Sequence, residues 1–251
     1  MKKTKVLVPA MGLLLLSTAA SVTGTVAWFA SQATVTATGM SVTVKSDTAF
    51  LLIKAGAAAD AAAVRSGGAA SANASTASRQ LLPVAHEAAA NSIATAEATT
   101  GEGASATMTN WYYYYSKDPA HSDGGTAGLS EKYNVTASAF NNYVLANEFN
   151  LTLAEGSSPM NTLRVNHCTI TPTTDKPEAV KVLVATGTAA EEFSGTGGDG
   201  STTLQAALTD ATVMQVKVYI YWDGADSDIY TNNIDNLLST SVEITFTGLV
   251  G

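Results

Sequence analysis

The chain has one cysteine in 251 residues. Cys168 therefore has no internal disulfide partner, so the fold must stand on its own packed core. The missing disulfide signature does not argue against export. Positive charge is also scarce: 13 Lys and Arg against 21 Asp and Glu give a formal net charge of -8. That balance leaves no basic footprint for nucleic acid, which is excluded as a partner, and nothing to draw the folded part onto an anionic membrane. Aromatic residues are missing from a whole tract. None occurs between Phe50 and Trp111, where Ala, Ser, Thr and Gly dominate. Such a tract buries too little apolar surface to offset its ordering entropy. It predicts a low-complexity, Ala-rich insertion at about residues 55–108, outside the core.

What is present begins with an export signal. Lys2, Lys3 and Lys5 form a positive region, an apolar run follows over residues 6–16, and small residues cluster at Ala19, Ala20 and Ser21 and again at Thr25, Val26 and Ala27. This pattern predicts a signal peptide over residues 1–28, removed by cleavage between about residues 21 and 30, and hence a secreted protein, extracellular or at the cell surface. No charge falls between Lys5 and Lys45, and the weakly apolar run reaches Ala30. If left uncut, that run is long enough to hold the chain in a bilayer, the one membrane association the sequence allows.

Beyond the signal the pattern is that of strands. Ala33, Val35 and Ala37 alternate with Thr34, Thr36 and Thr38, but after Gly39 the apolar set is Met40, Val42 and Val44. The parity flip predicts two β segments hinged at Gly39. Residues 49–53 read as a short buried strand and residues 180–185 as a central one. Tyr143, Leu145, Asn147, Phe149, Leu151 and Leu153 alternate with Val144, Ala146, Glu148, Asn150 and Thr152 in one long strand; Met214, Val216, Val218, Ile220 and Trp222 face inward in another, with Tyr219 and Tyr221 outward, and Val242, Ile244 and Phe246 are the apolar set of the last. A parity change between Val165 and Cys168 interrupts another. Helix is expected only over residues 80–98, with Pro83 restricting its start, and as a short turn over residues 203–208. The fold class is all-β: one two-sheet, jelly-roll-like sandwich over residues 29–251 carrying the Ala-rich insertion.

The motifs that carry chemistry are few. His86 and Glu87 begin like a zinc-protease helix, but position 90 is Ala and only His121 and His167 remain as histidines; no zinc site is expected. Gly195, Gly197, Gly198 and Gly200 have a dinucleotide-like spacing before the short turn at 203–208, but they are separated from the strand ending near Ala185 and no Lys follows for a phosphate, so they read as a loop. Asp223, Asp226, Asp228, Asn232, Asn233 and Asp235 form the densest oxygen-donor cluster, and Asp223, Asp226, Asp228 and Asn232 stand first in it. They are the candidate calcium ligands, set against the reading of a solvated turn capping its own backbone. His167 and Cys168 point to opposite faces of a strand, the wrong geometry for a base and its nucleophile. No catalytic residues are assigned, and neither an enzyme nor a cofactor beyond calcium is expected. Trp111, Tyr112, Tyr113, Tyr114 and Tyr115 are a candidate ligand surface, set against the reading of a core strand with one exposed row.

Two stretches carry a family resemblance. Thr25, Val26, Ala27, Trp28 and Phe29, followed by the alternating Thr/Val/Ala strand, resemble the camelysin and TasA type of exported protein of Gram-positive bacteria, which are cut by a dedicated signal peptidase. The run from Val218 through Tyr219, Ile220, Tyr221, Trp222, Asp223, Gly224, Ala225 and Asp226, then Thr231, Asn232, Asn233 and a closing strand to Phe246, resembles the ending of many members of the same group. The resemblance implies a jelly-roll domain at the cell surface or in the biofilm matrix, in some members polymerising into fibres. Camelysin is classed as a metallopeptidase, but no metal-ligand pattern here carries that over. Two functional expectations follow. The first is a structural protein that assembles with copies of itself or related matrix subunits, donating a strand from about residue 29 to about residue 38 to a neighbour's sheet edge. In it Phe29 and Val35 fill pockets and Gly39 is the hinge; the alternative is that this strand pairs within its own sandwich. The second is a carbohydrate- or protein-binding surface module, cell-wall glycan included, using the Tyr-rich strand.

Overall fold

The computed structural model describes residues 41–42, 51–68, 72, 81–87, 91–115, 131–171, 176–226, 229 and 240–250. They belong to one compact unit, Thr34–Gly251. In chain order the elements are β1 (Ser41–Val42), β2 (Leu51–Ala55), α1 (Ala61–Gly67), β3 (Ala85–His86), α2 (Ile93–Ala96), β4 (Thr99–Thr100), β5 (Thr107–Tyr115), β6 (Glu131–Thr136), β7 (Leu145–Leu153), β8 (Met160–Thr171), β9 (Val180–Ala185), β10 (Ala190–Ser194), β11 (Gly197–Gly198), β12 (Gln205–Leu208), β13 (Met214–Trp222) and β14 (Ser241–Val250).

Strand alternation builds the sandwich. The middle sheet runs β10-β9-β13-β7-β2, and the front sheet runs β1-β14-β8-β11 with β12 also on β8. Phe149, Leu151, Leu153, Val216, Val218 and Ile220 of the middle sheet meet Leu163, Val165, Ile170, Val242, Ile244 and Phe246 of the front sheet in one core, all almost inaccessible to solvent. Full burial of each such side chain contributes roughly 1.5–3 kcal/mol. The parity change in β8 is a β-bulge: Thr245 pairs with His167 but Phe246 with Val165, leaving Asn166 as the extra residue. The bulge lets Val165 and Cys168 both face inward. Among the described residues all strand pairings are antiparallel except β1 on β14, which is parallel, and the isolated bridge of Val84 to Asp223 is parallel too.

A third layer covers the opposite face of the middle sheet. β3, β5, β4 and β6 form a small sheet, and its Val84, Met108, Trp111 and Val135, with Ile93 and Ala96 of α2, pack on Leu183, Ala185, Tyr219 and Tyr221. This corrects three expectations. Tyr219 and Tyr221 are buried, not outward, because the third layer lies over them. The Ala-rich tract contains core residues: Ala61, Val64, Leu81, Val84 and Ala96 are each at most 5 % exposed. Ala61 and Ala96 are buried in short helical turns, and Val64, Leu81, Val84 and Ile93 are the tract's buried branched residues, while Leu82 is half-buried. Residues 80–98 are not one helix. Val84 donates its N–H to Trp222 O at 3.0 Å and accepts from Gly224 N–H at 2.9 Å, so the residues around it extend along the end of β13, and among the described residues of this stretch only the four of α2 coil. A capping box starts that turn, with Ser92 N–H donating to Thr95 Oγ1 at 3.0 Å. Residues 205–208 are likewise a strand, β12 on β8, where a helical turn was expected; Leu204 N–H bonds Leu163 O at 2.8 Å and starts the pairing.

Elsewhere α1 covers β2 and β7. Asp60 caps it by accepting from Ala63 N–H at 2.8 Å, Val64 is fully buried, and Arg65 donates to Asp210 O. On the middle-sheet face opposite the sandwich core, Asn150 Nδ2 donates to Gly56 O at 2.7 Å and Thr152 Oγ1 to Thr212 O at 2.6 Å. These bonds make two buried polar side chains affordable in a strand interior.

Candidate functional site

The Tyr-rich strand β5 does not present one aromatic surface. Trp111 is fully buried, its Nε1–H donates to Ala96 O at 2.7 Å, and it packs edge-on against Tyr221 at 5.0 Å. It belongs to the core and not to the ligand surface on which the sequence placed it. Tyr112 is 9 % exposed; the Lys132 ammonium sits 3.7 Å above its ring and pairs with Glu87. Burial, then the neighbouring Tyr114 and Glu87, push the Tyr112 hydroxyl up to about 12. Tyr113 and Tyr114 are both half-buried, and Tyr113 packs against the cluster that holds Trp111. The Tyr113 ring lies 5.8 Å from both Tyr133 and Tyr143, at interplanar angles of 23° and 17°, and Tyr133 is 43 % exposed. The row Tyr133-Tyr113-Tyr143 therefore joins three elements, β5, β6 and the turn after β6, and periodicity within β5 gave no sign of it. Tyr114 packs edge-on against Tyr112 at 5.5 Å. The Tyr115 side chain lies outside the described residues.

Between the third layer and β13 lies a second cluster. Tyr219 OH donates to Glu97 Oε1 at 3.1 Å, and Lys217 Nζ reaches both oxygens of Glu97 at 2.7 and 2.8 Å. One turn of the pleat further on, Tyr221 OH donates to Glu192 Oε2, and His86 Nδ1 lies 3.7 Å from the same oxygen. Burial and the adjacent carboxylates hold both tyrosines protonated, with hydroxyls well above their ordinary value. Burial alone would raise the Glu192 carboxyl, but His86, the Tyr221 hydroxyl and the Lys181 charge outweigh it and hold the group below the usual carboxylate range. These are donor–acceptor ties between layers. His86 Nε2 is buried with no hydrogen-bond partner among the described residues. The sequence singled out His86 only as a failed zinc motif; its pairing with Glu192 joins residues far apart in the chain.

The remaining sequence-predicted residues are dispersed. Asp223 Oδ1 accepts from Ala225 N–H at 3.0 Å and its Oδ2 lies 3.5 Å from Lys181 Nζ, while Asp226 N–H donates to Asp223 O at 3.2 Å. Asp223 thus already closes a turn and faces a lysine; Asp228 and Asn232 lie outside the described residues. Among the described residues no group of three or more His, Cys, Asp or Glu side chains is placed to hold a metal ion. Cys168 is fully buried, and burial, with Glu191 adding, pushes its thiol up to about 12. His167 points the other way, to Asp199 Oδ1 at 2.6 Å. The glycine run serves strand pairing: Gly197 has φ +91°, and a Cβ there would sit 2.0 Å from Cys168 O. Phe29, Val35 and Gly39, with the signal sequence, lie outside the described residues. Just beyond them β1 pairs Ser41 with Thr245 and Val42 with Phe246. Among the described residues no helix is long and apolar enough to cross a membrane.

Fold and contacts define an all-β sandwich with a third β layer. No family model, curated protein or solved structure matches the chain.

Proposed function

We propose that this chain is an exported structural protein of the cell surface or extracellular matrix, without enzymatic activity, whose main partner is other copies of itself, joined by strand addition at the front sheet. The observation that carries the reading is β1. It lies parallel on the edge of β14 through the described residues Ser41 and Val42, whereas every other strand pairing among the described residues is antiparallel and the one further parallel contact is the isolated bridge of Val84 to Asp223. An edge strand offers unpaired N–H and C=O groups to any extended segment, and parallel pairing is slightly less stable per residue than antiparallel pairing. Residues 29–38, shortly upstream, are uncharged and rich in Thr and Ala. Backbone hydrogen bonds along a neighbour's β14 supply affinity, Phe29 and Val35 supply side-chain anchors, and Gly39 absorbs the change of face. The resemblance to the camelysin and TasA type points the same way. The test is truncation of the mature protein to begin at Gly39, followed by sedimentation and negative-stain microscopy. A folded monomer that no longer polymerises is expected. Polymers formed by the truncated chain, or none formed by the mature chain at any concentration or pH tried, overturn strand donation.

The stacked row Tyr133-Tyr113-Tyr143 favours a second reading, a carbohydrate-binding surface module. Stacked rings with one exposed member are suited to the C–H face of a sugar. Glycan-array binding that Tyr113→Ala abolishes would favour this reading over assembly.

A further inference from the structure

We infer that the cleft on the outer face of the front sheet, between β14, β8 and the loop before β12, is a binding site for a carboxylate-bearing sugar, a hexuronate residue. It is separate from the tyrosine row and rests on neither reading above.

Four independent features meet there. The cleft has a volume of about 310 Å³ and is lined by Thr162, Arg164, Ser201, Thr203, Thr247, Gly248 and Leu249, at the small end of the roughly 300–1,000 Å³ of small-molecule sites. Arg164 is the sole cation of the lining, and among the described residues its guanidinium has no partner. In a chain of net charge -8, an unpaired guanidinium in a concave site is a planar fork open to a carboxylate. The hydroxyls of Thr162, Thr203 and Thr247 likewise have no side-chain partner among the described residues. Ser201 is pinned by Glu191 Oε1, which accepts from its N–H at 2.6 Å and from its Oγ–H at 3.0 Å. Leu249 is 69 % exposed, one of two large apolar side chains so exposed among the described residues.

The backbone is shaped to make the hollow. β8 and β14 slip register between Thr247 and Leu249, and Thr162, at the slip, has φ +50°, the one positive-φ residue other than glycine among the described residues. A β-branched residue there is strained, and such strain persists where surrounding structure imposes it, commonly at ligand clamps. Gly248 is the companion of that bend, since a Cβ on it would lie 2.4 Å from Met160 Cγ.

The lining selects the ligand class. Hydroxyls both donate and accept, as a sugar's own hydroxyls require. One guanidinium balances one carboxylate, whereas a phosphate of about -1.5 to -2 charge calls for further cations or a nest of N–H groups. Leu249 gives the apolar contact that a sugar's C–H face can use and a phosphate cannot.

The test titrates the full chain with sodium glucuronate, glucose and inorganic phosphate, followed by amide and Arg side-chain NMR signals. Glucuronate is expected to shift the signals of Thr162, Arg164, Thr203 and Leu249, with glucose and phosphate binding at least about tenfold more weakly. Arg164→Gln is expected to reduce glucuronate affinity about tenfold with the unfolding temperature unchanged, and Thr203→Val, of equal shape, about threefold. Phosphate binding as tight as glucuronate would make this a general anion site and overturn the assignment. So would glucose binding equally well, no shift with glucuronate well above millimolar concentration, or wild-type affinity in both variants. Sugar binding does not require polymers, so strand donation fails or stands on its own experiment.

Discussion

Glu192 stands between two layers, on β10 of the middle sheet with His86 of the third layer and Tyr221 of β13 around its carboxylate. Those partners favour the ionised form, so its folded-state pKa is depressed. The unfolded carboxyl titrates near 4.3. A depressed folded value means the contribution is fully present above that value and is lost as pH falls through the lower, folded one. Glu192→Gln should therefore be less stable than the wild type at neutral pH, with the gap narrowing below about pH 4. Urea denaturation at a series of pH values measures it; a gap that stays the same from neutral pH down to about pH 3 would show that the carboxylate's charge is not what ties the layers. Trp111 shows a different residue-scale rule. A ring with a polar edge goes into a core where the N–H finds a carbonyl, and Ala96 O supplies it.

At the scale of elements, the pairing of β11 with β8 depends on one hydrogen atom in place of a methyl group. Gly197 sits opposite Thr169, and a Cβ would come within 2.0 Å of Cys168 O, whereas a Cβ at Gly198 meets nothing within 4 Å. Gly197→Ala is expected to destabilise the protein by about 1–3 kcal/mol, through strain at positive φ and backbone contact, and Gly198→Ala by much less. Chemical denaturation of the two variants side by side decides it, and equal midpoints would contradict the pairing. The bulge at Asn166 is a second device of this scale. It rotates the strand by one residue, so that a run whose inward set switches from odd to even positions still keeps Leu163, Val165, Cys168 and Ile170 in one core.

For the molecule as a whole, the Ala-rich tract, through α1, Leu81 and its part of the third layer, decides how much of the chain is structural. Val64, Leu81, Val84 and Ile93 lie in the Ala-rich tract and are buried, at roughly 1.5–3 kcal/mol each. Together they rival the about 5–15 kcal/mol that holds a typical protein folded. Deletion of residues 60–105 would also remove Ala96 and Glu97, the partners of Trp111, Lys217 and Tyr219. The deleted chain is expected to be insoluble or to lose its sharp thermal transition, read by circular dichroism on heating. A soluble chain that still melts cooperatively would restore the view of the tract as a dispensable insertion.

The sequence by itself determined the strands of the sandwich and its inner faces. Alternation is a local property: Val242, Ile244 and Phe246 declare one buried face, and the break between Val165 and Cys168 declares the bulge, whatever the strands pair with. Opposite orientation of His167 and Cys168 followed from the same period of two. Only the tertiary structure decided what lies on the second face of the middle sheet. Tyr219 and Tyr221 have the same alternating pattern whether water or another layer covers them, because an amphipathic tyrosine suits both. The tract that supplies the cover is rich in Ala, a residue whose pattern distinguishes buried from exposed positions poorly. The His86, Glu192 and Tyr221 cluster, the tyrosine row and the Arg164 cleft likewise join residues from separate strands, and their proximity depends on register, bulges and layer packing, none of which is encoded in the spacing of residues along one strand.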